Sequence, residues 1–329
     1  MLNREQLLKN KELLKDKVAG ALIGLAVGDS LGDAARTESN NFNYGFTTDF
    51  TNKKSWSTDD TEFALLTTMM LLESKGDLTS NVILDGWKEH VVSLDELNRG
   101  GPSEREAANN IRNGINPPDS GKYNVFHMSD GAAMRISPIG IYCAGDAERA
   151  SKLAKVDAQI SHWRDGIWGA QAVAAAVSLA MVNGSPDEIV STVLHNAPKG
   201  SFFKHKIDRA FVLADSNSDI HDIWMTLHDV LWTESTHCVP EAVTAAFTIL
   251  KMTKCEFNSS FFYGCNFGRD ADTIGAVVGS ICGALHGLSA FPKDWVEKVR
   301  YPTGTCLEFT KGIDILDLAD QLTELILSE

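Results

Sequence analysis

The 329-residue sequence is short of positive charge: 30 lysines and arginines stand against 44 aspartates and glutamates, a formal net charge of −14. A binder of nucleic acid or of an anionic membrane needs a basic surface, so both are set aside as partners. Paired cysteines are also missing. Six are present (Cys143, Cys238, Cys255, Cys265, Cys282, Cys306), but none forms a C-x-x-C pair. Neither a thiolate zinc site nor a disulfide framework is signalled, and reduced, mostly buried thiols in a cytoplasmic protein are expected. Alternating β-branched stretches long enough for a sheet are absent, as are low-complexity linkers and repeats of roughly 20–50 residues. The chain therefore reads as one all-α domain over residues 1–329. Long apolar runs are few. Val18 to Gly28 has signal-peptide length, but Glu5, Glu12 and Asp16 precede it and no clear small-residue cleavage site follows. Ile274 to Phe291 carries His286 as its only ionisable group, which is borderline for a membrane span. Acidic residues directly before it and glycines within it favour a buried helix.

What the sequence has in quantity is helical periodicity. Glu62 to Glu73, Gly166 to Val182, Glu188 to Asn196, Val239 to Lys251 and Ile315 to Leu327 place apolar residues three and four apart. Asn98 to Phe126, rich in glycine, proline and asparagine, reads as a long functional loop. Two apolar helices share a finer pattern: Gly20, Gly24, Gly28 and Gly32 in the first, Gly275, Gly279, Gly283 and Gly287 in the second. Each interior glycine costs roughly 1 kcal/mol against alanine, so the stripes need a compensating close approach of another backbone. The two helices are expected to pack on each other or on a common neighbour.

Two acidic motifs carry the chemistry. Trp56-Ser57-Thr58-Asp59-Asp60-Thr61 opens one helix, and Gly268-Arg269-Asp270-Ala271-Asp272-Thr273 opens the second glycine-striped one. Asp and Thr are ordinary helix caps. Four carboxylates converging near an apolar interior, however, repel one another unless a cation joins them. Oxygen ligands without Cys or His favour a hard ion, Mg²⁺ with Mn²⁺ or Ca²⁺ as alternatives, over zinc.

Taken in order, these segments resemble the ADP-ribosylglycohydrolase superfamily, whose branches include the ADP-ribosyl-acceptor hydrolases, the dinitrogenase-reductase-activating glycohydrolases and the J1 crystallins. The match runs from Gly20 through Gly28-Asp29-Ser30-Leu31-Gly32, then Thr58-Asp59-Asp60-Thr61 and Gly101-Pro102-Ser103. It continues through Asp130-Gly131-Ala132-Ala133-Met134-Arg135, Ser161-His162 and Asp270-Ala271-Asp272-Thr273-Ile274-Gly275. The ordered set spans residues 18 to 288 and so covers most of the chain.

The resemblance implies a compact orthogonal helical bundle with a binuclear Mg²⁺ site in a central cleft, Mn²⁺ being the alternative ion. Its metal ligands match Thr58, Asp59, Asp60, Asp270, Asp272 and Thr273. The implied chemistry is hydrolysis of the glycosidic bond at the anomeric carbon of an ADP-ribosyl or related N-ribosyl compound, with Asp60 or Asp272 helping to deprotonate the attacking water. Gly100, Gly101, Ser129, Asp130 and Gly131 would offer backbone N–H groups to a pyrophosphate, and His162 would line the cleft beside it. The chain departs from the family pattern at three places. Arg36 stands where many members carry a metal-holding glutamate, with Asp33 and Glu38 as candidate replacements. Arg269 is expected beside the metal ligands, where it would read a phosphate or carboxylate as Arg36 would, or fill a metal position. Asp130 stands where asparagine is frequent. Other readings remain open: a catalytically silent binding, immunity or crystallin-like relative, or a hydrolase of another nucleotide or nucleoside. The oligomeric state is not legible.

Overall fold

In the computed structural model, which describes residues 2–36, Phe46, Asp49 and 56–329, helices account for the regular structure, and no strand occurs among the described residues. Glu38 lies outside them. The helices that build and support the site are α1 (Lys11–Ala34), α2 (Asp59–Glu73), α3 (Pro102–Arg112), α4 (Gly131–Arg135), α5 (Asp165–Met181), α6 (Pro186–Asn196), α7 (Val239–Thr253), α8 (Ala271–His286) and α9 (Ile315–Leu327). The five segments expected from periodicity are thus α2, α5, α6, α7 and α9, each within a few residues of its expected ends. Their starts follow from side-chain capping. Asn10 accepts from Leu13 N at α1, Ser185 and Glu188 form a reciprocal capping box at α6, and Asp314 caps α9.

The glycine stripes face each other. Helices α1 and α8 run antiparallel in the centre, with Gly20 against Gly283, Gly24 against Gly279, Gly28 against Gly275 and Gly32 against Ala271. A Cβ added to Gly20 would stand 2.5 Å from the Gly283 carbonyl oxygen, and one added to Gly24 would stand 2.8 Å from the Gly279 carbonyl carbon. Only glycine permits this approach. At the far end of the pair, Lys17 is buried and donates to the carbonyls of Ala284 and Leu285 at 2.8 and 2.9 Å, meeting the last free carbonyls of α8. Burial pulls its pKa down to about 8.

The remaining helices wrap this pair in a continuous apolar cluster that includes Phe63, Trp87, Phe203, Phe247 and Ile281, all fully buried. Each such side chain contributes roughly 1.5–3 kcal/mol by leaving water. All six cysteines are free and buried. Among the described residues no helix is long and apolar enough to cross a membrane. The apolar run beginning at Ile274 leaves helix after His286, where Gly287 turns at φ +81°.

One expectation needs correction. The stretch from Asn98 to Phe126 is not a continuous loop, because it contains α3 and a short turn of helix, Asp119–Lys122. Gly101 and Pro102 supply a helix start, while Ala107, Ala108 and Ile111 bury one narrow face. That stripe is too thin to register as periodicity amid polar neighbours.

Candidate active site

The two acidic motifs meet because α1 and α8 are held in register. The C-terminal end of α1 delivers Asp29, whose buried carboxylate receives Thr58 N at 3.0 Å, Thr58 Oγ1 at 2.7 Å, Thr61 N at 3.3 Å and Thr61 Oγ1 at 2.5 Å. A carboxylate there satisfies free N–H groups at the start of α2 and faces the positive end of its dipole. Asp29 thus fixes the turn that carries Asp59 and Asp60. Glu62 fixes the other side, accepting from Thr305, Cys306 and Leu307 N at 2.6–2.8 Å.

Between the clusters opens a cleft of about 230 Å³. Its walls include Asp59 and Asp60 from α2, Asp270, Asp272 and Thr273 around the start of α8, and Ser129, Asp130 and Gly131. Gly100 and Gly101 line it too, together with Glu104, Arg36 and His237. Thr58 sits one layer below, its hydroxyl already engaged by Asp29 and 3.1 Å from Asp60 Oδ2. It orients the acids rather than facing the cleft.

The carboxylates are under electrostatic stress. Burial pushes Asp59 up to about 7, with Glu104 adding to the effect. Asp60 and Asp272 are raised well above the carboxylate range, Asp60 by burial and then by the charge of Asp272, and Asp272 by burial and then by the charge of Asp270. Asp130 is raised in the same way, by burial and then by Asp270. Asp270 alone among them is lowered: burial opposes ionisation, but the His237 hydrogen bond at 2.8 Å and the charge of Arg36 outweigh it. His237 is correspondingly raised by that bond. Three buried carboxylate oxygens on the cleft wall, Asp60 Oδ1, Asp130 Oδ2 and Asp272 Oδ1, have no hydrogen-bond donor among the described residues. Such atoms are costly unless a donor or cation meets them. Apart from His237, the side chains on the cleft wall that can ligate a metal are oxygen donors, which suits a hard divalent ion. Among the described residues no three His, Cys, Asp or Glu side chains already stand at ligand spacing, and Arg36 occupies the gap between Asp270 and Asp272.

Two residues lie elsewhere than expected. Gly268 and Arg269 both have positive φ, +74° and +60°, and this turn sends the Arg269 side chain away from the acids. Its guanidinium instead meets Glu241 Oε1 at 2.6 Å and the Thr233 carbonyl at 2.6 Å, over the Trp232 ring. Glu241, buried and capable of a bidentate pair, is the stronger partner. His162 does not line the cleft; it is fully buried behind Ser129. Burial and then the Arg135 charge hold its pKa well below the ordinary value, so it is neutral.

Its partners define its tautomer. Ser129 Oγ donates to Ser103 Oγ at 2.7 Å, and Ser103 Oγ donates to Glu104 Oε2 at 2.7 Å. Ser129 therefore accepts from His162 Nε2–H at 2.9 Å, and Ser161 donates to His162 Nδ1 at 2.7 Å. Arg135 closes the ring, donating to Ser161 Oγ at 3.0 Å and to Glu104 Oε1 at 3.3 Å. Gly131 leaves room for Glu104, whose carboxyl carbon would stand 2.8 Å from a Cβ there.

Sequence reasoning missed Asp29 as an orienting group, Glu104 and His237. Asp29 lay in plain view in the Gly-Asp-x-Leu-Gly segment, whereas nothing local distinguishes Glu104 or His237. Asp33, a candidate replacement for the absent glutamate, is engaged by Trp56 Nε1 at 2.6 Å and Arg99 at 2.7 Å.

The chain is similar in sequence and fold to known proteins. The chain is 23% identical over 297 residues to an ADP-ribosylarginine hydrolase of Pseudomonas putida, covering 87% of this chain and 75% of that one. It is 24% identical over 295 residues to the ADP-ribosyl-[dinitrogen reductase] glycohydrolase of Rhodospirillum rubrum, covering 86% and 90%. A solved structure described as an ADP-ribosylglycohydrolase-related protein complex shares the fold with a TM-score of 0.65 at 20% identity, covering 95% of this chain and 99% of that one. The ADP-ribosylglycohydrolase family model matches residues 10–329. The chain belongs to the ADP-ribosylglycohydrolase family, and it is a hydrolase acting on a glycosidic bond.

Proposed function

We propose that this chain hydrolyses the bond between the anomeric carbon of an ADP-ribosyl group and its acceptor, with Mg²⁺ or Mn²⁺ as cofactor. The observation that carries the reading is the set of unpartnered, buried carboxylate oxygens of Asp60 and Asp272 on the wall of one cleft. The relatives that act on ADP-ribosylarginine and on ADP-ribosyl-dinitrogen reductase support the choice of substrate class.

Asp59, Asp60, Asp272 and Thr273 would hold the ion, with Asp270 in reserve behind Arg36 and His237. A divalent ion there supplies Lewis acidity toward water and the ribose hydroxyls. Asp60 or Asp272, each with a carboxylate oxygen that has no donor among the described residues, would take the proton of the attacking water. The water oxygen bonds to the anomeric carbon as the bond to the acceptor breaks, and the acceptor leaves with the bonding pair and a proton. Gly100, Gly101 and the Ser129–Gly131 turn face the diphosphate, which an acidic protein must bind through N–H groups rather than bulk charge.

The deciding experiment is a turnover assay with and without Mg²⁺ across arginine-, serine- and O-acetyl-linked ADP-ribose and free nucleosides. Release of ADP-ribose from one linkage, lost in chelator, is the expected result. Turnover of nucleosides alone, or of nothing, refutes the reading and favours another nucleoside hydrolase or a silent relative.

A further inference from the structure

We infer that Arg36 is a built-in cation of the acidic cleft, bridging Asp270 and Asp272 where a metal ion would otherwise be needed, so that the chain binds one divalent ion rather than two. The inference rests on the metal-dependent reading above. Arg36 Nη1 stands 2.7 Å from Asp272 Oδ2 and Nη2 stands 3.0 Å from Asp270 Oδ1. The planar fork of arginine is suited to spanning two acceptors in this way. Arg36 lies two residues beyond the end of α1, and Gly32 packs against the backbone of Ala271, between the two acids.

The bridge sorts the available oxygens. Asp270 Oδ1 already receives both Arg36 and His237 Nδ1, the latter at 2.8 Å, which leaves that oxygen a poor ligand. Asp272 commits Oδ2 to Arg36 while Oδ1 stays unpartnered, and Asp60 Oδ1 is unpartnered as well. Asp272 is the strongest charged neighbour of Asp60. One oxygen from each acidic cluster is therefore left to an ion, with Asp130 Oδ2 on the same cleft wall, each without a donor among the described residues. A second ion joining Asp270 to Asp272 would compete with Arg36 for the same oxygens.

The test counts ions rather than turnover. Mg²⁺ is titrated calorimetrically into the metal-free full-length wild type and R36Q up to millimolar concentration, and electron paramagnetic resonance is recorded on both after loading with Mn²⁺. The wild type should bind one ion per chain and show the spectrum of an isolated Mn²⁺. R36Q should bind two, with the spectrum broadened by coupling between neighbouring ions. Two ions in the wild type, or one ion in an R36Q whose thermal unfolding is still cooperative, overturns the inference alone. No ion in either form, with ADP-ribosyl hydrolysis intact in chelator, overturns the metal-dependent reading and this inference with it. Should R36Q fail to fold, the wild-type count decides.

Discussion

Replacing Gly24 by alanine adds one methyl group at the tightest kind of contact in the molecule. The new Cβ would stand 2.8 Å from the Gly279 carbonyl carbon, with the oxygen closer still. Carbon contacts are comfortable at about 3.5–4.0 Å, so α1 and α8 must separate by about 1 Å or bend. Neither is free, since both helices are buried over most of their length. Overpacking of this kind costs about 1–3 kcal/mol, and a clash with backbone belongs at the upper end. Alanine returns roughly 1 kcal/mol of helix propensity, which leaves a net loss of about 2 kcal/mol. At about 2 °C per kcal/mol for a chain of this size, Tm should fall by roughly 4 °C. Thermal and urea unfolding of G24A, G279A and the double variant measure it. The second methyl enters a gap that the first has opened, so the double variant should be less destabilised than the sum by about 0.5–3 kcal/mol. A G24A protein as stable as the wild type, or more so, refutes the packing argument, because a glycine in open space would gain stability on becoming alanine. A separated pair would also displace Asp29 and Arg36 relative to Asp272, and activity should fall with stability.

Three further outcomes are expected. D60A and D272A should each abolish Mg²⁺-dependent hydrolysis and leave the chain folded, because each removes one member of a mutually repelling set; loss of the circular-dichroism signal in either would contradict this. R135M leaves Glu104 and Asp157 as buried charges without their partner, so denaturant titration should show a loss of about 3–5 kcal/mol, and a loss below about 1 kcal/mol would show that the pairs contribute little. Without divalent ions, melting temperature should decline between pH 5 and pH 7. Asp29 at about 6 and Asp59 at about 7 hold protons in the folded chain that the unfolded chain has released, so stability falls as pH rises toward those values. Saturating Mg²⁺ should flatten that decline, and a metal-free profile that rises over the same window would contradict the reading.

What the sequence determined by itself was whatever depends on near neighbours along the chain. Apolar spacing placed α2, α5, α6, α7 and α9 because a helix face is set by residues three and four apart. The matching strides of Gly20–Gly32 and Gly275–Gly287 announced a close helix pair, since glycines inside a helix have no local benefit. The two Asp-Thr clusters stood out as paired helix starts, and folding brings their carboxylates to one cleft. The tertiary structure alone decided where the long charged side chains end. Arg269 adjoins Asp270 in sequence and Arg36 does not, yet Arg36 bridges Asp270 and Asp272 while Arg269 turns away to Glu241. The partner of Arg36 is 234 residues distant, and a backbone at φ +60° redirects Arg269. Glu104, His237 and the neutral tautomer of His162 were hidden for the same reason. A buried polar group takes its role from whichever donors and acceptors folding brings within about 3 Å, and that set has no signature in the residues beside it.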